Sequence, residues 1–161
     1  MLLKRIPLLF LQVALVLFGL VVLALLIVMP LQEGRAQDLD LWSVYTDPFI
    51  LFGYAASIAF FVGLYYGIRL LHRIGNNSLF SPPSGKLLRT IRVCTLILGL
   101  CVVLAGMYIR LFHHPDDDPA GFLALCIAVT FALLVVTAAI SVVEKLLRKA
   151  IELQSENELT I

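Results

Sequence analysis

The sequence predicts an all-α membrane protein, a bundle of four transmembrane helices. Of its 161 residues, 61% are hydrophobic and only 14% are charged, whereas a soluble domain has about 45–50% apolar and about 25% charged residues. A soluble fold of this size would leave large apolar patches in water. The composition therefore excludes a soluble enzyme, a disordered chain and a domain that binds nucleic acid directly.

Four apolar stretches are long enough to cross a bilayer, whose hydrocarbon core of about 30 Å requires about 20 apolar residues in a helix. Because lipid offers no partners for backbone N–H and C=O groups, each stretch should be helical. We expect one membrane domain with spans at about 6–29, 48–71, 88–111 and 119–144, a loop at 72–87 and a tail at 145–161. The first stretch is longer than the apolar core of a signal peptide, about 7–15 residues, which favours an uncleaved span.

The distribution of basic residues predicts the orientation of these spans. Ten of the twelve Lys and Arg residues lie at the N-terminus, around the loop between spans 2 and 3, and in the C-terminal tail. Only Arg35 and Arg110 lie in the other two loops. Because basic residues concentrate on the cytoplasmic side of a membrane, we expect both termini and the loop between spans 2 and 3 in the cytoplasm.

Three of the spans begin with helix-capping sequences. Asp47 and Asp118 each precede a proline at the start of spans 2 and 4, and Ser81 precedes Pro82 before span 3. Asp and Ser side chains accept hydrogen bonds from unpaired N–H groups at a helix start, and proline fits the first helical position. These three residues are therefore the predicted N-caps.

Small residues recur every four positions in span 2, at Ala55, Ala59, Gly63 and Gly67. Such a stripe allows helices to approach closely in lipid, where packing drives association. Two interpretations remain open: the stripe joins spans within one bundle, or it joins two copies of the chain.

One segment between spans 3 and 4 contains side chains that are able to bind a metal. His113, His114 and Asp116 are the weak candidates, because adjacent residues in a turn rarely converge on one ion and closed sites need a defined ligand set. We therefore predict no metal or other cofactor. No serine–histidine pair, phosphate-binding loop or paired carboxylates have catalytic spacing, so we also predict no enzymatic activity.

The loop and the tail are candidates for a docking face on the cytoplasmic side. Residues 145–153 keep a helical period past span 4, and the tail carries carboxylates that could attract the basic loop: Glu152, Glu156 and Glu158 opposite Arg73, Lys86 and Arg89. The candidate docking residues are Asn77, Phe80, Asn157 and Leu159. The alternative interpretation is a basic loop that only sets topology, or binds anionic lipid, beside a frayed tail.

Two motifs resemble those of a bacterial four-span family, domain of unknown function 2975. One is Asn77-x-x-Phe80-Ser81 before a basic helix, and the other is the closing segment 155–161 (Ser-Glu-Asn-Glu-Leu-Thr-Ile). The resemblance extends over nearly the whole chain, although Pro82-Pro83-Ser84-Gly85 replaces the more helical residues usual there. It implies a location in the bacterial inner membrane, and it implies no established activity. Members often appear to be encoded beside a small helix-turn-helix regulator, which implies a regulatory pairing by association.

These observations lead to one functional hypothesis and one alternative. We expect a non-enzymatic membrane protein that regulates or tethers a cytoplasmic protein, such as a helix-turn-helix transcription regulator. The alternative is a membrane sensor or accessory subunit that binds a lipid or a small apolar ligand between its helices. The first requires a soluble partner, whereas the second requires a retained ligand.

Overall fold

The computed structural model describes residues 2–32, 41–76, 82–112 and 118–159, and helices account for nearly all of them. Five helices follow one another: α1, Leu2–Gln32; α2, Leu41–Tyr45; α3, Pro48–Gly75; α4, Pro82–Phe112; and α5, Ala120–Leu159. All except the short α2 are long and apolar enough to cross a membrane. The prediction of an all-α protein with four transmembrane helices is confirmed.

Three of the four long helices match the thickness of a bilayer in length, and the fourth is longer. At 1.5 Å per residue, α1, α3 and α4 are roughly 42–46 Å long, which matches a bilayer with its headgroups, about 40–45 Å. α5 has 40 residues and is therefore roughly 60 Å long. It extends 15 residues past Glu144, where the sequence predicts the last span to end.

Aspartate caps fix where α3 and α5 begin. An Asp47 carboxylate oxygen accepts a hydrogen bond of 2.7 Å from the Phe49 N–H, directly before Pro48 at the first position of α3. Asp118 likewise accepts a hydrogen bond of 3.0 Å from the Ala120 N–H. Each carboxylate satisfies a backbone donor that the helix itself leaves unpaired. Ser81, the third predicted cap, lies outside the described residues.

The long helices pack in chain order, α1 on α3, α3 on α4 and α4 on α5, with α2 between α1 and α3. Their ends differ in charge. One end, called the basic end, is formed by Arg69 and Arg73 of α3, Lys86, Arg89 and Arg92 of α4, and Lys145, Arg148 and Lys149 of α5. The opposite end, the acidic end, carries the caps Asp47 and Asp118.

Two tyrosines attach the last turns of α1 to its neighbours. The Tyr54 hydroxyl of α3 donates a hydrogen bond of 3.1 Å to the Leu26 carbonyl, and the Tyr45 hydroxyl of α2 donates one of 3.0 Å to the Ile27 carbonyl. The Leu26 carbonyl needs such a donor because its normal helical partner would be the N–H of residue 30, which is proline. In lipid an unpaired carbonyl is costly, so Tyr54 compensates for Pro30.

Replacement of Tyr54 by Phe should therefore destabilise the protein by about 1 kcal/mol, the net contribution of such a bond, and lower Tm by about 2–4 °C. In a Pro30→Ala background the helix regains the missing N–H, so the same substitution should cost markedly less. Thermal unfolding of the four proteins in one mild detergent gives the coupling between the two positions. Equal losses in both backgrounds would contradict the compensation.

Candidate functional site

The buried side chains of the described chain concentrate toward the basic end of α4 and α5. Apart from two glycines and a proline, seven described residues are buried, and six of them belong to α4 and α5; we call these six the α4–α5 core. These six are Ser84, Leu87, Leu88 and Cys94 of α4 and Glu144 and Leu147 of α5. Along the spans themselves most large apolar side chains are exposed.

The depth of the α4–α5 core in the membrane explains this concentration of burial. Arg92 lies 20 residues from the far end of α4, and Glu144 lies 24 residues from the start of α5, which is roughly 30–36 Å along each helix. These residues therefore mark the boundary of the hydrocarbon. Leu87, Leu88 and Leu147 lie beyond it, where water is present and the hydrophobic effect drives burial, whereas lipid provides no such driving force.

A buried ion pair joins the two helices at that boundary. Glu144 is 8% exposed, and its Oε2 lies 3.0 Å from Nη1 of Arg92, in ionic contact but without the alignment of a hydrogen bond. Arg148 approaches Oε1 at 3.7 Å from one turn further along α5. The Arg148 side chain is 72% exposed and that of Arg92 only 33%, so Arg92 supplies most of the compensation for the buried carboxylate.

Beside this pair, α4 and α5 border a charged groove of about 350 Å³, which we call the basic groove. Its lining residues are Gly85, Lys86 and Arg89 of α4 and Glu144, Leu147, Arg148, Ile151 and Glu152 of α5. Three cations therefore face two carboxylates, one of which, Glu144, is paired with Arg92. The predicted approach of the tail to Lys86 and Arg89 is seen here for Glu152, which borders the same groove.

A second groove between α4 and α5 is apolar and lies within the spans. Two cavities of about 340 and 430 Å³ share Val103, Thr130 and Leu134, and together we call them the apolar groove. The hydroxyls of Thr95 and Thr137 on its walls donate to carbonyls of their own helices, at 2.6 and 2.7 Å. These two hydroxyls are therefore already paired, and the groove is suited to hydrocarbon.

The predicted small-residue stripe of α3 is placed unevenly in the structure. A Cβ atom at Gly63 would lie 3.3 Å from the Cβ of Cys94 in α4, which is a close approach between two helices. A Cβ at Gly67 would meet no atom within 4 Å, Ala55 is exposed and Ala59 is half-buried. A closer approach that the stripe does not include occurs at Gly19 of α1, where a Cβ would lie 2.5 Å from Cδ2 of Leu64.

Several predicted site residues lie outside the described residues. The weak metal candidates His113, His114 and Asp116 are among them, as are the docking candidates Asn77 and Phe80. Asn157 and Leu159 belong to the described helical backbone of α5. Within the described ranges, no group of three or more His, Cys, Asp or Glu side chains is arranged to hold a metal ion.

The sequence pattern alone does not predict the central pair of this site. In the sequence, Arg92 is one of the basic residues that predict the orientation, and Glu144 is the last residue of the predicted span 4. A usable indication was present, because Glu144 is the one acidic residue in an otherwise apolar and basic stretch from Ala120 to Ile151. A charge at a hydrocarbon boundary is costly unless it is paired, so this carboxylate called for a cation on a neighbouring helix.

The fold and its charged boundary define a polytopic membrane protein with four transmembrane helices. Comparison with known families identifies which one: the chain belongs to the family described as Protein of unknown function (DUF2975), whose model matches residues 31–161. The resemblance noted from the sequence is thereby confirmed.

A relative of nearly equal length supports the same assignment. The chain is 31% identical over 160 residues to the uncharacterized membrane protein YoaS of Bacillus subtilis (strain 168), covering 98% of this chain and 99% of the relative. No solved structure matches the chain.

Replacement of Arg92 by Met should destabilise the protein more than replacement of Arg148 by Met. Removing the closer cation leaves Glu144 buried with only an exposed partner at 3.7 Å. We expect a loss of about 2 kcal/mol, below the 3–5 kcal/mol of a fully buried pair because Arg92 is partly exposed, and a fall in Tm of about 4–8 °C. Combining Arg92→Met with Glu144→Leu should recover part of the lost stability, because no buried charge then remains unpaired. A double variant no more stable than Arg92→Met alone would contradict the pairing.

Proposed function

We propose that this protein is a non-enzymatic regulatory or tethering partner of a cytoplasmic protein, such as a helix-turn-helix transcription regulator, in the inner membrane of a bacterium. In this proposal the basic end faces the cytoplasm, as the distribution of Lys and Arg favours. The single observation that carries the proposal is the length of α5, which continues 15 residues past Glu144 as far as Leu159.

The length of this continuation exceeds the thickness of the headgroup layer. Fifteen residues past Glu144 correspond to roughly 22 Å of helix, whereas the headgroups of one leaflet add only about 5–8 Å to the hydrocarbon core. About the last three turns of α5 are therefore expected in the aqueous phase. We call the outer part of this extension, residues 152–159, the distal segment.

The charged side chains of α5 change from basic to acidic along this continuation. Lys145, Arg148 and Lys149 lie at headgroup depth, where they attract anionic lipid. The distal segment contains Glu152, Glu156 and Glu158 instead. Because anionic headgroups repel these carboxylates, the distal segment is favoured to point away from the membrane.

An acidic helix selects a partner with a basic surface by charge complementarity. A transcription regulator of the helix-turn-helix class has such a surface, since it binds phosphates. Binding to the distal segment would therefore compete with DNA and hold the regulator at the membrane. The predicted docking residues Asn157 and Leu159 belong to the same segment.

The α4–α5 core supports this role mechanically. Leu87 and Leu88 of α4 and Leu147 of α5 are buried where the helices leave the hydrocarbon, and the Arg92–Glu144 pair joins the helices about one turn deeper. The helix that carries the distal segment is thus held against α4 where it leaves the membrane. A movement of the spans would therefore move the distal segment as well.

The alternative function, a membrane sensor or accessory subunit, is favoured by a different observation. The apolar groove between α4 and α5 is open along its length to the surrounding lipid and has the volume to admit a hydrocarbon chain. Retention of a defined lipid without a soluble partner would favour this alternative.

The proposed orientation is tested by a reporter enzyme that is active only in the cytoplasm. Fused after Ile161, or inserted in the loop at 77–81, the reporter should be active, because both positions adjoin helix ends at the basic end. An insertion near Asp38 should be inactive at an equal level of membrane-inserted protein. Activity at Asp38 would reverse the orientation and remove the partner proposal with it.

The partner proposal is tested by reversing the charge of the distal segment. A proximity-labelling enzyme fused before Met1 should label a small DNA-binding protein in wild-type cells, and labelling should fall at least fivefold in the Glu156→Lys/Glu158→Lys variant. The control is Lys145→Glu/Lys149→Glu, which reverses two charges on the same helix nearer the membrane. The purified partner should likewise bind the wild-type protein and the control variant more tightly than it binds the Glu156→Lys/Glu158→Lys variant.

An unchanged set of labelled proteins in the distal variant, at normal levels of inserted protein, would rule out docking at this segment. Equal losses in the distal and control variants would also contradict the proposal. The two variants change the net charge in opposite directions, so equal losses would show that binding does not depend on the negative charge of the distal segment.

A further inference from the structure

The basic groove lies at the depth of phospholipid headgroups. Gly85 and Arg89 of α4 are three to seven residues past Arg92, which corresponds to roughly 4–10 Å beyond the hydrocarbon boundary. The headgroups of one leaflet occupy about the first 5–8 Å of this distance. A ligand in the groove would therefore lie among headgroups.

The charges of the basic groove are arranged to bind a phosphate. Lys86 and Arg89 approach from α4 and Arg148 from α5, so a phosphate between the helices would meet cations from both walls. The groove also lies within two turns of the α4 N-terminus, where the helix dipole favours an anion. Glu144 on the floor is neutralised by Arg92, and Glu152 lies at the end of the groove further from the hydrocarbon.

The apolar groove lies on the same flank of the molecule as the basic groove. On α4, Arg89 of the basic groove is seven residues from Leu96 and fourteen from Val103 of the apolar groove. On α5, Arg148 is fourteen residues from Leu134. Residues seven apart on a helix lie within about 20° of one another, so the two grooves follow one line down the α4–α5 interface.

We propose that this flank is a binding site for one anionic phospholipid of the leaflet at the basic end. Its phosphate lies between Lys86, Arg89 and Arg148, and one acyl chain follows the apolar groove past Leu96 and Leu134. The site requires no partner for the distal segment, so it stands independently of the tethering proposal. It gives the alternative function a specific ligand class.

The test is native mass spectrometry of the detergent-solubilised full chain with long-chain phosphatidylglycerol. We expect one lipid retained per protein, with phosphatidylcholine and the short-chain dihexanoyl phosphatidylglycerol retained far less. The variant Lys86→Gln/Arg89→Gln should reduce occupancy about fivefold for each cation removed. The control Lys145→Gln/Lys149→Gln removes the same charge from residues of α5 that do not border the groove, and it should change occupancy less than twofold.

A second variant tests the acyl-chain part of the site. Replacement of Val103 by Trp fills the apolar groove without changing any charge, and it should reduce retention of the long-chain lipid while leaving the weak binding of the short-chain lipid unchanged. Helix content by circular dichroism confirms that each variant is folded.

Three results would overturn the proposal. Equal loss in the groove variant and in the control would show general attraction to a basic surface. Displacement of the lipid by an equimolar amount of inorganic phosphate would show that the groove binds the anion alone. Retention of a protein in place of lipid, lost on Lys86→Gln/Arg89→Gln, would show that the basic groove is a protein interface.

Discussion

The architecture depends on where water ends along α4 and α5. Within the hydrocarbon, lipid chains contact apolar side chains as favourably as other helices do, so the spans bury little of their surface against one another. Past Arg92 and Glu144 the helices enter the headgroup region, and there Leu87, Leu88 and Leu147 gain by leaving water. The hydrophobic effect therefore acts mainly on one short stretch, at the basic ends of α4 and α5.

At the opposite end of the molecule, hydrogen bonding has the corresponding role. Pro30 leaves the Leu26 carbonyl without its helical donor, and the Tyr54 hydroxyl supplies one from α3. Aromatic rings add contacts nearby, where Phe49 of α3 stacks on Tyr108 of α4 with ring centroids 5.6 Å apart. The α1–α3 contact at the acidic end thus depends on directional polar bonds, whereas the α4–α5 contact at the basic end depends on buried apolar surface and one ion pair.

The sequence predicted the features that depend on one helix at a time. Span lengths follow from bilayer thickness, and the caps Asp47 and Asp118 follow from local backbone chemistry, so both kinds of feature could be read from short segments. The Arg92–Glu144 pair and the two grooves depend on how α4 and α5 are rotated against each other, which composition and spacing do not determine. The stripe of α3 illustrates the difference, since its four members are equivalent in sequence while Gly63 approaches α4 and Gly67 faces open space.

Because α5 is continuous, a tilt of its membrane-spanning part would also move its C-terminal end. No proline or glycine interrupts the helix after Gly121, and kinks arise chiefly at such residues. A span that tilts by about 10°, as helices do when bilayer thickness changes, would displace the end of a 22 Å extension by about 4 Å. That shift is comparable with the rise of one helical turn, about 5.4 Å, so a change in bilayer thickness that tilts the span would move the end of α5 by most of a turn.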